Sequence, residues 1–383
     1  MSKILGLIPT GPDWSFDWNR ILSAFPEVAA MRGTPHDPVH HTEGCPLVHT
    51  RMVCDAMVSS PLFRDRSAED RTVAFLTALL HDIAKPLTAA ADPTGRVSHP
   101  GHSRIGSLMA RGILWRHGLN PVLREKVCAA IAYHQVPFWI MERDWHDARR
   151  IIVGASLTCG NDLLCIQAEA DARGRIAPDV TEMVESVEMH RLAAEELGCF
   201  DAPFKYADGT TLRSFMASPQ TVDPSYPIPR ESSRPTATVM CGLPGSGKST
   251  WLAQNRDGMP IVSLDEIRER EGISPDKPQH RVIAIAKEEA KAHLRGRRDF
   301  AWDGTNLSRE LRDGILGMCR DYGFATRLVV TEATDSEINR RLRDRDRIVP
   351  KPVHDRLLRR WEHPMPWEAD GHCSGLRAFE ISD

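Results

Sequence analysis

Between residues 20 and 200, apolar side chains recur every three or four positions. In TVAFLTALLHDIAK (72–85), Val73, Leu76, Leu79, Leu80 and Ile83 fall on one stripe, the pattern of an amphipathic helix. NPVLREKVCAAIAYHQ (120–135) and ARRIIVGASLTCGNDLLCIQAEADARG (148–174) keep the same period, and few segments alternate with period two. This half is expected to be all-α. From 208 to 235 the period is lost in DGTTLRSFMASPQTVDPSYPIPRESSRP, whose Pro, Ser and Thr content marks a linker. Beyond it come short β-branched or apolar runs: TATVMC (236–241), PIVSL (260–264), RDFAWD (298–303) and RLVVTEA (327–333). Helical patterns at 280–296 and 308–323 separate them, and strands alternating with helices imply a parallel α/β sheet. The expected organisation is an all-α domain over 1–207, a linker over 208–235 and an α/β domain over 236–383.

A length of 383 residues accommodates two such domains, and 41% hydrophobic with 26% charged residues is globular composition. No apolar run approaches the ~18 residues that span a bilayer. The N-terminal apolar stretch is too short and too broken by Gly and Pro for a secretory signal. Nine scattered cysteines without a C-x-x-C read as reduced thiols, so a cytoplasmic location without membrane contact is expected. A net charge of −3 gives no global pull toward nucleic acid. Locally, nine Arg and Lys stand against three Asp between 340 and 360, a net +6.

Two constellations carry chemistry. In ALLHDIAKP, His81 and Asp82 are neighbours expected on a helix, able to meet one ion lying between helices. Lys85, four and three residues later, shares their face and could neutralise a phosphate. His49 and Asp171 lie on an earlier and a later helix. Imidazoles with carboxylates suit divalent transition metals, and such an ion activates water against phosphorus. In GLPGSGKST, Gly242, Gly247, Lys248 and Ser249 satisfy G-x-x-x-x-G-K-[ST] between an expected strand and helix. The turn through Gly245, Ser246 and Gly247 and the helix start at Thr250 would cradle the phosphates of ATP or another NTP. Lys248 would reach the β/γ oxygens and Ser249 would ligate Mg2+. The strand PIVSLD brings Asp265 to the carboxyl edge of the sheet, where it could take a proton from an attacking hydroxyl or hold magnesium. Arg268 would lie over the same site.

His49, His81–Asp82 and Asp171 resemble the His…His-Asp…Asp pattern of the HD phosphohydrolase superfamily. HHTEGCPLVHT (40–50), LLHDIAKP (79–86) and SHPGHSRIG (98–106) are similar to the HD domains attached to CCA-adding enzymes, over about residues 35 to 175. The resemblance implies one or two divalent ions (Mn, Ni, Co, Zn or Fe), with His102 and His134 completing a dinuclear set. His99, His41 and Glu43 stand near that set in sequence. The spacing D-x-x-R from Asp265 to Arg268 resembles polynucleotide 5′-kinases, which implies a general base and a phosphate contact. WDGTN resembles their acceptor segment, implying substrate contacts from Asp303, Thr305, Asn306 and Arg309. RLRDRDRIVP (341–350) resembles their arginine-bearing lid, with Arg343 and Arg347 as the implied transition-state contacts.

Together the halves resemble the bifunctional HD–polynucleotide kinase family of bacterial end-healing enzymes. That resemblance implies phosphorylation of 5′-OH ends and removal of 2′,3′-cyclic, 2′- or 3′-phosphates on RNA or DNA. No K-x-D-G motif is present, so a separate ligase would seal the ends. Two other readings stand beside it: a nucleoside or sugar kinase fused to an HD nucleotide phosphohydrolase, and a non-catalytic nucleotide-sensing module.

Overall fold

In the first half, polar caps and prolines start the helices. α1 (Pro46–Ser59) opens on a proline, α2 (Ala68–Leu80) is capped by Ser67 accepting the Asp70 N–H, and α3 spans His102–Arg116. α4 (Pro121–Tyr133) is capped by Asn120 and α5 (Trp145–Ser156) by Asp144; α6 (Asn161–Arg173) and α7 (Val180–Glu196) follow. The computed structural model describes residues 3–231, 233–255, 258–343 and 351–374. Contacts divide the chain into two compact units, Met1–Lys205 and Tyr206–Asp383.

The stripe read in 72–85 becomes something stronger. Every residue of α2 from Thr72 to Leu80 is buried, because α1, α4 and α6 pack around it. The helix ends at Leu80, so His81 and Asp82 sit in the turn beyond it and not on a helix as the spacing predicts. Lys85 starts the next short helix, Lys85–Thr88. The single helical run expected over 148–174 is broken in two: Gly160 takes φ +88°, and α5 and α6 meet at 101°. No single helix is long and apolar enough to cross a membrane among the described residues.

The second unit is built on five parallel strands: β1 (Thr236–Cys241), β2 (Ile261–Ser263), β3 (Phe300–Asp303), β4 (Ala325–Val330) and β5 (Gly371–Ser374), in the order β2-β3-β1-β4-β5. β1 pairs Val239 with Trp302 on one side and Leu328 on the other, which makes it the central strand. Its carboxyl end runs into the glycine-rich turn. Between strands lie α9 (Lys248–Asn255), α10 (Leu264–Glu271), α11 (His280–Arg295), α12 (Arg309–Asp321) and α13 (Asp335–Arg343); α14 (Lys351–Arg359) precedes β5. Helices between parallel strands cover the sheet, as the run order predicts.

The stretch read as linker is not featureless. Gly209–Ala217 forms a helix, α8, capped by Asp208 and burying Leu212 and Phe215. It packs on β5, where Arg213 Nε donates to Asp370 Oδ1 at 3.0 Å. Nine residues are too few for a clear period, so only the cap marks this helix in the sequence.

Candidate active sites

Loop and helix ends of the first unit bring six residues together. His49 (α1), His81 and Asp82 (after α2), His102 (start of α3), His134 (end of α4) and Asp171 (α6) are all at most 5% exposed. His49 Nε2 lies 3.1 Å from Asp171 Oδ1, and His81 Nε2 lies 3.2 Å from Asp82 Oδ2. His102 Nε2 is 3.5 Å from Asp82 Oδ1. The ligand atoms of His49, His81 and Asp82 fall within 4.8 Å of one another, and so do those of Asp82, His102 and His134. Asp82 thus belongs to two triads, one on each side.

The protons on the rings decide what this cluster can hold. Nδ1 of His81, His102 and His134 lies 2.9, 2.8 and 2.7 Å from the carbonyls of Ala78, His99 and Ile131. His49 Nδ1 lies 3.1 Å from both Gly174 O and Glu43 Oε1. A carbonyl only accepts, so each Nδ1 donates its proton outward to the backbone and each ring turns Nε2 inward. Two pairs of Nε2 atoms then face each other, His49–His81 at 3.4 Å and His102–His134 at 3.3 Å. Both Asp82 oxygens are buried without a well-formed hydrogen bond. Ring nitrogens and carboxylate oxygens converge in a buried space, and this N/O donor set fits one or two divalent ions.

Charge shifts agree with that. Burial opposes ionisation of Asp82 and Asp171, but His81 and Lys85 beside the first and Arg175 beside the second outweigh it and hold both carboxyls well below their usual range. Burial and the flanking imidazoles push His134 down to about 3, which keeps its ring neutral. Burial lowers His49, yet hydrogen bonds to Asp171 and Glu43 raise it overall, the mark of negative charge that a metal would satisfy in the proton's place.

Lys85 is 6% exposed, with Nζ 2.7 Å from Asp82 Oδ2 and 2.6 Å from His36 Nε2. His36 has no spacing signal in the sequence; its loop folds back over the site, where its ring stacks on His41 at 3.6 Å. Glu43 accepts from His41 Nδ1 at 2.8 Å and from the Ile176 N–H at 3.0 Å, which fixes it behind His49. Arg175, four residues after Asp171, pairs with it; that i,i+4 spacing was the one sequence signal that could have found it. His99 keeps outside both triads, its Nδ1 3.2 Å from Lys85 O.

The second site lies at the carboxyl end of β1. Gly242, Gly245 and Gly247 take φ of +155°, +83° and +103°, and a Cβ on Gly242 would stand 2.3 Å from Thr331 O. Only glycine permits this turn. Lys248 Nζ donates to the Gly242 and Leu243 carbonyls, both at 3.0 Å, so its ammonium closes over the loop. Ser246 faces inward, its hydroxyl 2.8 Å from Thr331 Oγ1, while Ser249 and Thr250 are exposed at the start of α9. The arrangement fits a phosphate chain over the loop, with Ser249 in reach of a hard cation.

Asp265 sits in the first turn of α10, two residues beyond β2, and pairs with Arg268. Arg268 Nε in turn donates to Gln279 Oε1 at 2.6 Å. Asp303 ends β3 in register with Ser263, which places it beside the start of that helix. Thr305 meets the phosphate loop through its carbonyl, which accepts the Gly242 N–H at 3.0 Å. Asn306 departs from the expected substrate role: it is 5% exposed and its Nδ2 donates to Met240 O at 2.7 Å, inside the sheet. Arg309 is exposed, with Nε 3.5 Å from Asp313 Oδ2. Arg343 is exposed at the end of α13, and Arg347 lies outside the described residues. Among the described residues, Arg341 reaches the loop, its Nη1 donating to Gly245 O at 2.9 Å.

Residues 49–172 match the family model of the HD domain, and residues 238–364 match that of an AAA domain. The chain therefore joins an HD domain to a P-loop, kinase-like domain. Its curated relatives are named multifunctional CCA proteins. That of Halorhodospira halophila is 40% identical over 109 residues, 28% of this chain and 24% of the relative. That of Pasteurella multocida is 29% identical over 111 residues, 29% of this chain and 25% of the relative. The chain spans about a quarter of the length of these relatives. Among solved structures, an unliganded sugar kinase from Janibacter sp. HTCC2649 is similar at 20% identity with a TM-score of 0.31, covering 38% of this chain and 87% of that one.

Proposed function

We propose that the protein heals nucleic-acid ends, its first unit removing a 2′,3′-cyclic, 2′- or 3′-phosphate and its second phosphorylating a 5′-hydroxyl. The observation that carries this reading is the pairing in one chain of two phosphate sites of opposite chemistry. One is a buried His/Asp cluster with a lysine at its rim, and the other a phosphate loop with an acid–arginine couple on the acceptor side. A broken strand presents both tasks at once, a phosphate to remove on one side and a hydroxyl to phosphorylate on the other.

In the first unit, His49, His81, Asp82, His102, His134 and Asp171 would hold the divalent ions. A divalent ion there supplies Lewis acidity toward a phosphoryl oxygen and lowers the pKa of water. Lys85 binds and orients the phosphate, held to the site by Asp82 and His36. Glu43 and the backbone carbonyls fix each ring so that Nε2 faces inward. In the second unit, Lys248 and the loop N–H groups bind the β- and γ-phosphates of ATP; Ser249 would hold Mg2+, which would supply charge neutralisation. Asp265 takes the proton of the 5′-hydroxyl, Arg268 holds the acceptor phosphate, and arginines near the loop balance charge on the transferred group.

The test gives purified protein ATP, magnesium and manganese with an oligonucleotide carrying 5′-OH and 2′,3′-cyclic phosphate ends, in RNA and DNA forms. Both ends are expected to change. Nucleosides and sugars serve as parallel acceptors; phosphorylation of one of these without the oligonucleotide would move the reading to a small-molecule kinase. Metal and ATP binding without turnover of any phosphoester would leave a sensing module.

A further inference from the structure

Arg312, on α12, is fully buried, and its guanidinium is shared among separate segments. Nε and Nη2 donate to Glu368 at 2.6 and 2.9 Å. Nη1 donates to the carbonyls of Asn306, Leu307 and Glu362 at 3.1, 2.9 and 2.9 Å. Glu368 is 5% exposed, and its Oε1 also accepts the Met365 N–H at 2.9 Å. A planar fork serves a carboxylate and adjacent carbonyls together, which the point charge of a lysine does not. Buried ion pairs of this kind are poor stabilisers, since an apolar pair of similar volume often does as well. Its worth must lie in what it holds.

It holds the loop after β3. Asn306 takes φ +43°, a conformation uncommon for any residue but glycine. Its side chain bonds Met240 O, and Thr305 O accepts the Gly242 N–H, so one flank of the loop is fastened to the base of the phosphate loop. The other flank meets residues 362–368: the Glu362 N–H donates to Leu307 O at 2.9 Å, and Glu362 Oε2 accepts the Arg309 N–H at 2.6 Å. Arg312 is where these flanks join.

We infer that Arg312 is a positioning residue for phosphoryl transfer, clamping loop 303–307 between the phosphate loop and residues 362–368 so that the acceptor meets the donor at a fixed distance. The inference rests on the kinase reading above. Arg312 touches neither substrate; it acts through the carbonyls it holds. Loss of the clamp misplaces the acceptor while the phosphate loop keeps its own glycine-dictated shape.

The experiment uses the full chain with Arg312→Lys and with the double variant Arg312→Met/Glu368→Leu, which strands no buried charge. Melting, amide hydrogen exchange and kinetics with ATP and acceptor varied separately are measured. The double variant is expected to fold, to exchange faster at 303–308 and 361–368, and to lose on the order of 100-fold in kcat/KM for the acceptor. The KM for ATP is expected to change by less than about threefold. Arg312→Lys is expected to fall between it and the wild type. A folded double variant with unchanged exchange in those segments overturns the clamp, and so does an equal loss for ATP and acceptor. If the wild type phosphorylates no oligonucleotide, the nucleic-acid reading fails separately. The kinetics then move to whichever acceptor is phosphorylated, and exchange still decides the clamp.

Discussion

The two sites are built in opposite ways. Every putting-together of the first is buried: its six donors are at most 5% exposed, and each ring is tied to a backbone carbonyl or carboxylate. The second keeps its working groups at the surface, with Asp265 66% exposed in its side chain and Ser249 and Thr250 open at the start of α9. A cation site gains from rigidity and low dielectric, because ligands held in place cost nothing to organise. A site that admits a phosphate chain and its acceptor must stay open until both arrive. One consequence is that stability and activity are coupled in the first unit and separable in the second.

The largest effect should come from Asp82→Asn. Asp82 belongs to both triads, so phosphoesterase activity and bound metal, read by product analysis and elemental analysis, are expected to fall to background. Lys85, 6% exposed, would then lose its carboxylate, and the first unit should lose about 3 kcal/mol of stability in denaturant. Kinase activity should persist. Full metal content in the variant would break the assignment of Asp82 as the shared ligand.

Asp265→Ala supplies the contrast. Kinase turnover is expected to drop by roughly 10²–10⁴-fold, the usual worth of a general base. Melting should be unchanged, because the side chain is exposed and Arg268, with which it pairs, keeps Gln279. Wild-type turnover would remove Asp265 from the mechanism, and a large loss of melting temperature would break the distinction between the two sites.

These contrasts also mark what the sequence could tell. The strand of the phosphate loop was legible to the residue, 236–241, because a β-branched run meets a glycine turn there. The members of the buried His/Asp cluster were legible through the His…His-Asp…Asp spacing, and His102 and His134 only through the family resemblance. His36 was not: it reaches Lys85 from 49 residues away, through the path of a loop that no period encodes. Asn306 was misplaced because an amide bound inside the sheet and one facing substrate look alike in a string of letters. Arg341 hid in a run of arginines in which the resemblance pointed to Arg343 and Arg347. Local pattern names elements and donors; which way a loop residue turns is decided by tertiary packing.

Glu43→Gln probes the first site one step out from the metal. Glu43 accepts from His41 and lies 3.1 Å from His49 Nδ1, and these partners hold its carboxyl below the usual range despite burial. A glutamine keeps the volume and loses the charge. Metal affinity is expected to weaken by about 10–100-fold, with activity restored at high metal concentration. Rescue by metal would separate this role from that of Asp82; no change in affinity would show that Gly174 O alone fixes the His49 ring.

The smallest effect tests the second unit away from its site. Burial opposes ionisation of Asp370, but the Thr326 N–H at 2.9 Å and Arg213 outweigh it and hold the carboxyl below its ordinary range. With the folded value depressed, the unfolded chain binds the proton more readily, so stability from this group rises with pH. It is fully present above the ordinary carboxylate value and is lost as pH falls through the folded one. Asp370→Asn should therefore cost about 2 kcal/mol near neutrality, the worth of hydrogen bonds to a charged group. The difference from wild type should begin to shrink below about pH 4 and close as pH falls through the folded value. Kinase kinetics should not move, since Asp370 ties α8 to β4 and stands apart from the phosphate loop in the sequence of contacts that builds the site. A difference that stayed constant from pH 7 to pH 3 would assign the loss to packing, and the α8–β4 tie would then owe nothing to charge.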